Sequence, residues 1–397
     1  MSYLVQLVLI LILTKIGAHL SNMLNFPSVI GELLVGVLAG PAVLNILTGT
    51  TFIQYFSEIG VIVLMFIAGL EGDLHLLMKF WKPALSVAIL GVIFPTITAA
   101  GLCAIVFDFK WTTAIFLGLI LSATSVSISV QVLKEMGKMN SKEGAIILGA
   151  AVADDIICVI LLGICVAFFG NSASADQPLW IMISTKLLFF VLMIVLGKYF
   201  VPKFMDFFKK LNTSENEATG AVILCFGFSA IAVALGMSDV LGAYFAGTAL
   251  SETKYQQSLA QKIEPIGYAI FIPVFFVSIG LNISFKGLQN DILFITLLVI
   301  VAILGKQIGG SLGAKMFNLN WSEANIVGAG MISRGEMALV VSNVALTSQL
   351  IDKNHYTAMI LVTVVTTIIA PIILKLFIQR SNQKNSISSD SFNEVKV

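Results

Sequence analysis

Gly149-Ala150-Ala151-Val152-Ala153-Asp154-Asp155-Ile156-Ile157 places two adjacent carboxylates among small and apolar residues. Lys142 and Glu143 mark the start of the stretch that contains them. They lie roughly 16 Å before the acids on a helix that rises 1.5 Å per residue. In a hydrocarbon layer of roughly 30 Å that depth is close to the midplane. A charged side chain there costs on the order of 3 kcal/mol, so such a residue is read as functional unless it is paired off. Neighbouring residues on a helix point about 100° apart. One acid can therefore face a cavity while the other turns to a second helix, and the two need not do the same job.

The composition supports the membrane reading. Of 397 residues 58% are hydrophobic and 11% charged, with a mean hydropathy of +0.98, whereas soluble domains carry roughly 25% charged residues. Turns, Pro/Gly breaks and charged clusters divide the chain into about thirteen apolar helices. Their expected cores are Tyr3–Leu20, Val29–Leu47, Phe52–Leu70, Leu85–Phe107, Thr112–Leu133, Gly144–Phe169 and Trp180–Phe200, then Ala218–Gly236, Val240–Ser251, Ile263–Leu281, Ile292–Ala314, Ala324–Ala345 and Thr357–Phe377. Tyr3–Leu20 lacks the basic start of a signal peptide and contains Lys15 and His19, so it is expected to be retained. A net charge of +1 gives no basic field for nucleic acid. Cys103, Cys158, Cys165 and Cys225 sit in apolar stretches without metal-type spacing and read as small buried hydrophobes. His19, His75 and His355 form no metal triad.

With about thirteen crossings, the loops on one side collect Lys79, Lys82, Lys134, Lys138, Lys142, Lys203, Lys209, Lys210, Lys254, Lys262 and Lys315, and the C-terminal Lys375, Arg380, Lys384 and Lys396 join them. The other side has Lys110, Lys186, Lys286 and Lys353. The positive-inside rule then places the N-terminus outside and the C-terminus in the cytoplasm of a cell (inner) membrane. Residues 1–380 read as one transmembrane domain, and the polar tail 381–397 as a disordered cytoplasmic extension. Glu32, Glu58, Glu71, Asp73 and Asp239 fall near predicted helix ends, where a solvated carboxylate is expected.

Few charges remain deep in the bilayer. Lys306, in Ile303-Leu304-Gly305-Lys306-Gln307-Ile308-Gly309-Gly310, must find a partner or shed its proton, and Asp154 or Asp155 is the natural one. Gly305, Gly309 and Gly313 make a smooth stripe beside it on which another helix can pack. Leu121-Ser122-Ala123-Thr124-Ser125-Val126-Ser127 interrupts the predicted fifth helix with hydroxyl residues. Gly328-Ala329-Gly330-Met331-Ile332-Ser333-Arg334-Gly335-Glu336 interrupts the twelfth. Breaks at matching places in two sets of about six helices imply inverted repeats whose discontinuous helices cross near the midplane and line an ion site. Half-helix ends meeting there need charges to neutralise their dipoles.

Ala153-Asp154-Asp155, Ser122-Ala123-Thr124-Ser125, Gly305-Lys306 and Ser333-Arg334-Gly335-Glu336 together resemble the NapA-type sodium/proton antiporters of the monovalent cation:proton antiporter-2 family. The likeness runs over residues 1–380, and the paired aspartates with an intramembrane lysine are its most specific part. The resemblance implies that Asp155 is the principal cation- and proton-binding acid, that Asp154 pairs with Lys306 and shares in the cation/proton site, and that Thr124 and Ser125 complete coordination of sodium or lithium. It also implies that helices one to three and eight to ten form a dimerising scaffold and helices four to six and eleven to thirteen a moving core, with the seventh as linker. No cofactor is implied beyond the transported cations and protons.

A dehydrated sodium ion in low dielectric requires an ionised carboxylate, and desolvation equally favours protonating that group. Competition for one negative charge makes an exchanger, and release of a proton from Lys306 would make the cycle electrogenic. Potassium/proton exchange and sodium-coupled symport are the nearest alternatives, and a passive channel is a third. An intramembrane aspartyl protease draws its two acids from different helices, whereas Asp154 and Asp155 are sequential and no Gly-x-Gly-Asp motif occurs.

Overall fold

An apolar segment surrounded by lipid must close its backbone hydrogen bonds within itself, which leaves helices and closed barrels as solutions. The computed structural model of the chain describes residues 3–24, 26–169, 179–281, 292–347 and 350–394, and among these there is no strand. In chain order the helices are α1 (Tyr3–Met23), α2 (Ser28–Ala39), α3 (Thr51–Glu71), α4 (Leu74–Lys79), α5 (Trp81–Ile105), α6 (Trp111–Ser122), α7 (Val126–Glu135), α8 (Lys142–Phe169) and α9 (Leu179–Val195). They continue with α10 (Val201–Lys209), α11 (Asn216–Ala234), α12 (Asp239–Ser251), α13 (Gln256–Ile266), α14 (Ile272–Leu281), α15 (Ile292–Lys315), α16 (Trp321–Gly330), α17 (Glu336–Thr347) and α18 (Lys353–Glu394). One π-helical turn, Leu196–Phe200, joins α9 to α10, and another, Gly267–Phe271, joins α13 to α14. Ten of the described helical stretches are long and apolar enough to cross a membrane; the broken pair α6–α7 counts among them as one stretch, and Lys353–Gln383 is the corresponding part of α18. Lys286 and the residues after Glu394 lie outside the described residues, as do the side chains beyond residue 383.

The chain divides into two compact units. The first comprises Met1–Ser21, Ile30–Lys79 and Ser172–Phe285, and the second comprises Asn22–Val29, Phe80–Asn171 and Lys286–Val397. Within the first, α3 and α12 approach until backbones touch. A Cβ added at Gly247 would lie 2.1 Å from the Phe66 carbonyl oxygen, and one at Gly69 would lie 2.2 Å from that of Tyr244. Lipid supplies no hydrophobic drive between helices, so this close fit is what holds them together. Two polar residues of this unit depart from the expectation of solvated positions. Lys186 is only 5% exposed. Its ammonium donates to the carbonyls of Gly236 and, at 3.4 Å, Leu235, capping the end of α11 where no further helical donors follow. Glu32 is 8% exposed, in the first turns of α2.

In the second unit the glycine stripe of α15 lies against α5. Added Cβ atoms at Gly305, Gly309 and Gly313 would fall 2.9 Å from Pro95 Cα, 2.4 Å from the Leu90 carbonyl oxygen and 2.7 Å from Val87 Cα. That contact fixes the height and rotation of Lys306, whose side chain runs beside Gly91. Two helices of this unit are interrupted. Ala123 and Ser125, between α6 and α7, adopt extended backbone (φ/ψ −64/136° and −93/114°). The second interruption, residues 331–335, separates α16 from α17. Asn320 and Glu323 form a reciprocal cap at the start of α16, and Lys142 of α8 reaches Glu323 at 3.1 Å.

Gly309→Leu is expected to destabilise the detergent-solubilised protein by about 1–3 kcal/mol through overpacking, outweighing the gain of at most about 1 kcal/mol in helix propensity. Ile308→Leu, on the 45% exposed neighbour, is expected to leave thermal unfolding unchanged. Equal melting curves for the two variants would refute the close-packed stripe.

Candidate functional site

Gly149, Ala150, Ala151 and Ala153 keep the side chains of α8 small just before Asp154, which is fully buried, 0% exposed. Both its carboxylate oxygens accept hydrogen bonds: Oδ1 from Lys306 Nζ at 2.7 Å and Oδ2 from the Thr124 backbone N–H at 3.0 Å. The second donor exists because α6 ends at Ser122, which frees the amides of the break from helical partners. Asp155 is 9% exposed and, one position on, points away from its neighbour. Lys306 is itself 0% exposed. Replacing a buried pair by apolar residues is often neutral or stabilising, whereas removing one partner costs about 3–5 kcal/mol. Folding alone therefore gives this pair little reason to exist.

The two breaks are tied directly to each other. Ser125 N–H donates to the Ser333 carbonyl at 2.8 Å, and Ser333 Oγ donates to the Ser125 carbonyl at 2.7 Å. The approach is tight enough that a Cβ at Gly335 would lie 2.5 Å from Ser125 Oγ. Arg334, also 0% exposed, donates to the carbonyls of Ile332, of Met331 at 3.3 Å and of Ala302 at 2.9 Å. A cation at the end of α16 satisfies carbonyls that have no helical donor and faces the negative end of the helix dipole. Thr367 of α18 donates to the Arg334 carbonyl. Thr124 is 2% exposed, and its Oγ1 is buried without a hydrogen-bond partner among the described residues. Ser125 Oγ lies 3.0 Å from Ser127 Oγ.

Asp154, Asp155, Thr124, Ser125, Lys306, Ser333 and Arg334 thus belong to the second unit, on α8, α15 and the two breaks. Glu336 opens α17, but its side chain lies outside those described. Sequence reasoning missed three participants. Ser129 Oγ donates to the Gly330 carbonyl and lies 3.3 Å from Ser333 Oγ; it continues the hydroxyl series Ser125, Ser127 by alternation. Thr367 gave no signal. Cys158, read as a plain hydrophobe, has its sulfur 3.5 Å from Ser122 Oγ, and its spacing of four from Asp154 was the available clue. Among the described residues no group of three His, Cys, Asp or Glu is placed to hold a resident metal ion. The hydroxyl, carbonyl and carboxylate oxygens around the break are the donor set of a hard cation.

Comparison with known proteins agrees with this chemistry. Residues 8–380 match the family model described as sodium/hydrogen exchanger, transmembrane. A Na(+)/H(+) antiporter of Enterococcus hirae is 44% identical over 96% of this chain and 99% of its own length. The Na(+)/H(+)-K(+) antiporter GerN of Bacillus cereus is 43% identical over 93% of this chain and 95% of its own. The sodium proton antiporter MjNhaP1 of Methanocaldococcus jannaschii shares the fold, with a TM-score of 0.69 at 17% identity over 92% of this chain and 94% of that one. The chain belongs to the transmembrane sodium/hydrogen exchanger family, whose members are cation/proton antiporters and not enzymes.

Proposed function

We propose that the chain exchanges sodium (or lithium) for protons, with Asp155 holding one or the other and the Asp154–Lys306 pair balancing charge beside it. One observation carries the assignment. Both oxygens of Asp154 are engaged, by Lys306 and by the Thr124 amide, so the exchangeable charge falls to its neighbour. Thr124 Oγ1, buried and without a partner among the described residues, supplies a hydroxyl ligand. A second proton per cycle comes from Lys306 if Asp154 lets it go, which makes transport electrogenic and couples it to voltage at about 2.3 kcal/mol per elementary charge per 100 mV.

Counting each broken pair and the short α2 and α12 as crossings, the helices make two inverted sets joined by the α9–α10 crossing. On this reading the second unit carries the ion and the first anchors it in the cell membrane, with the N-terminus outside and the C-terminus in the cytoplasm. Lys15 supports a homodimer: its Nζ donates to the Tyr268 carbonyl at 3.2 Å, yet it lies on the exposed face of an apolar α1. An ammonium against lipid is costly, and a second copy covering that face removes the cost. Potassium as an additional substrate is the second reading, favoured by the likeness to GerN.

In proteoliposomes, sodium-driven proton movement is expected for the wild type and absent for Asp155→Asn; full exchange by that variant would overturn the assignment. Titrating sodium, lithium and potassium in the same vesicles is expected to give saturable exchange with the first two, and saturation by potassium would establish the second reading. Asp154→Asn is expected to cost about 3–5 kcal/mol because it strands a buried ammonium. Adding Lys306→Gln should recover part of that loss in thermal unfolding, whereas strictly additive losses would mean that the two side chains do not interact.

A further inference from the structure

We infer that the second unit carries a further cation site, an aromatic pocket for a quaternary ammonium ion, built on the turn between α5 and α6 and the first turns of α15 and α18. The turn sets two of its walls. Asp108 has φ +53°, a left-handed conformation that Asp adopts more readily than most residues. The Phe109 N–H donates to the Cys103 carbonyl at 3.1 Å, which folds the turn back onto α5, and the rings of Phe107 and Phe109 come to 6.0 Å between centroids. Phe294 of α15 meets both edge to face, at 4.9 Å from Phe107 and 5.4 Å from Phe109. His355 of α18 stands edge to face with Phe109 at 4.6 Å.

These four rings and Asp352 line a cavity of about 380 Å³, within the roughly 300–1,000 Å³ of small-molecule sites. Asp352 supplies the charge. Its Oδ1 accepts the His355 N–H at 2.8 Å and so caps the start of α18; among the described residues its second oxygen has no partner. A cap needs one oxygen, and Asn or Ser would serve as well. The walls select the ion. Ring faces attract a cation within about 6 Å and favour quaternary ammonium groups. Sodium would have to exchange its water for several oxygen ligands, and this pocket offers one carboxylate among rings. A quaternary ammonium sets its methyl groups against the rings and its charge beside Asp352. None of these residues belongs to the acid pair or the two breaks, so the inference does not rest on the exchanger reading.

Choline is the probe, compared with neohexyl alcohol, its uncharged carbon isostere. Radiolabelled choline is expected to bind the detergent-solubilised full-length protein saturably, and unlabelled choline but not neohexyl alcohol is expected to displace it. Phe109→Leu keeps apolar bulk and removes a ring face, whereas Asp352→Asn keeps the cap and removes the charge. Each should weaken binding about fivefold or more, while Asp155→Asn should bind choline as the wild type does. The isostere comparison uses the wild type alone and stands whether or not the variants fold. Absence of saturable binding, or equal displacement by neohexyl alcohol, would sink the inference. So would wild-type affinity in both pocket variants, or loss of binding in Asp155→Asn, which would put choline at the acids instead.

Discussion

An ammonium and a carboxylate 2.7 Å apart, neither with any exposed surface, set the terms for the rest of the second unit. Neither charge is tolerable there without the other, so α8 and α15 are held at one height and one rotation. The glycine stripe of α15 against α5 lets the lysine stem lie between helices without prising them apart. The remaining oxygen of the carboxylate needs a donor, and an intact helix has none to offer. Interrupting the chain between α6 and α7 releases one, the Thr124 amide. The pair and the break are therefore one device: each satisfies a polar group that the other's geometry leaves over.

The second break answers a similar electrostatic demand with different residues. The end of α16 presents carbonyls in a place where water cannot satisfy them, and Arg334 fills that need from within the same loop. Because the two breaks exchange hydrogen bonds through Ser125 and Ser333, a displacement of one is felt by the other. Ser129 adds a third tie, to the Gly330 carbonyl. Three hydrogen bonds thus join the two breaks, which suits the proposed site, whose oxygens must keep their geometry while the surroundings rearrange.

How much of this was legible in the sequence follows from cost. Charges are so expensive in hydrocarbon that Asp154, Asp155, Lys306 and Arg334 announce themselves, and the helices around them are marked by sheer apolar length. The same logic fails where a polar residue lies close enough to a helix end to be excused. Lys186 and Glu32 looked solvated on spacing, yet helix packing buries both, and packing partners are not written in local spacing. The residues themselves left Lys306 two acids to choose from, because a 100° step separates their directions without saying which direction faces α15. Hydroxyls and thiols are cheap enough to be ordinary core residues, so Ser129, Thr367 and Cys158 were hidden among many of their kind.

On the proposed reading, adjacency of the two acids is itself a mechanism for tightness. A single carboxylate that both anchored Lys306 and exchanged its load would expose a bare ammonium each time a proton neutralised it, and that state is the most costly in the site. Dividing the tasks between consecutive residues keeps the lysine compensated while the neighbour alternates between sodium and a proton. The empty, ionised form of that neighbour is then the state least able to cross a low-dielectric barrier, so movement without cargo is suppressed by desolvation alone. Separating the acids by a full turn would place both on one face and make them compete for the same lysine. A separation of one residue, about 100° of rotation, keeps them within one site but turned toward different partners.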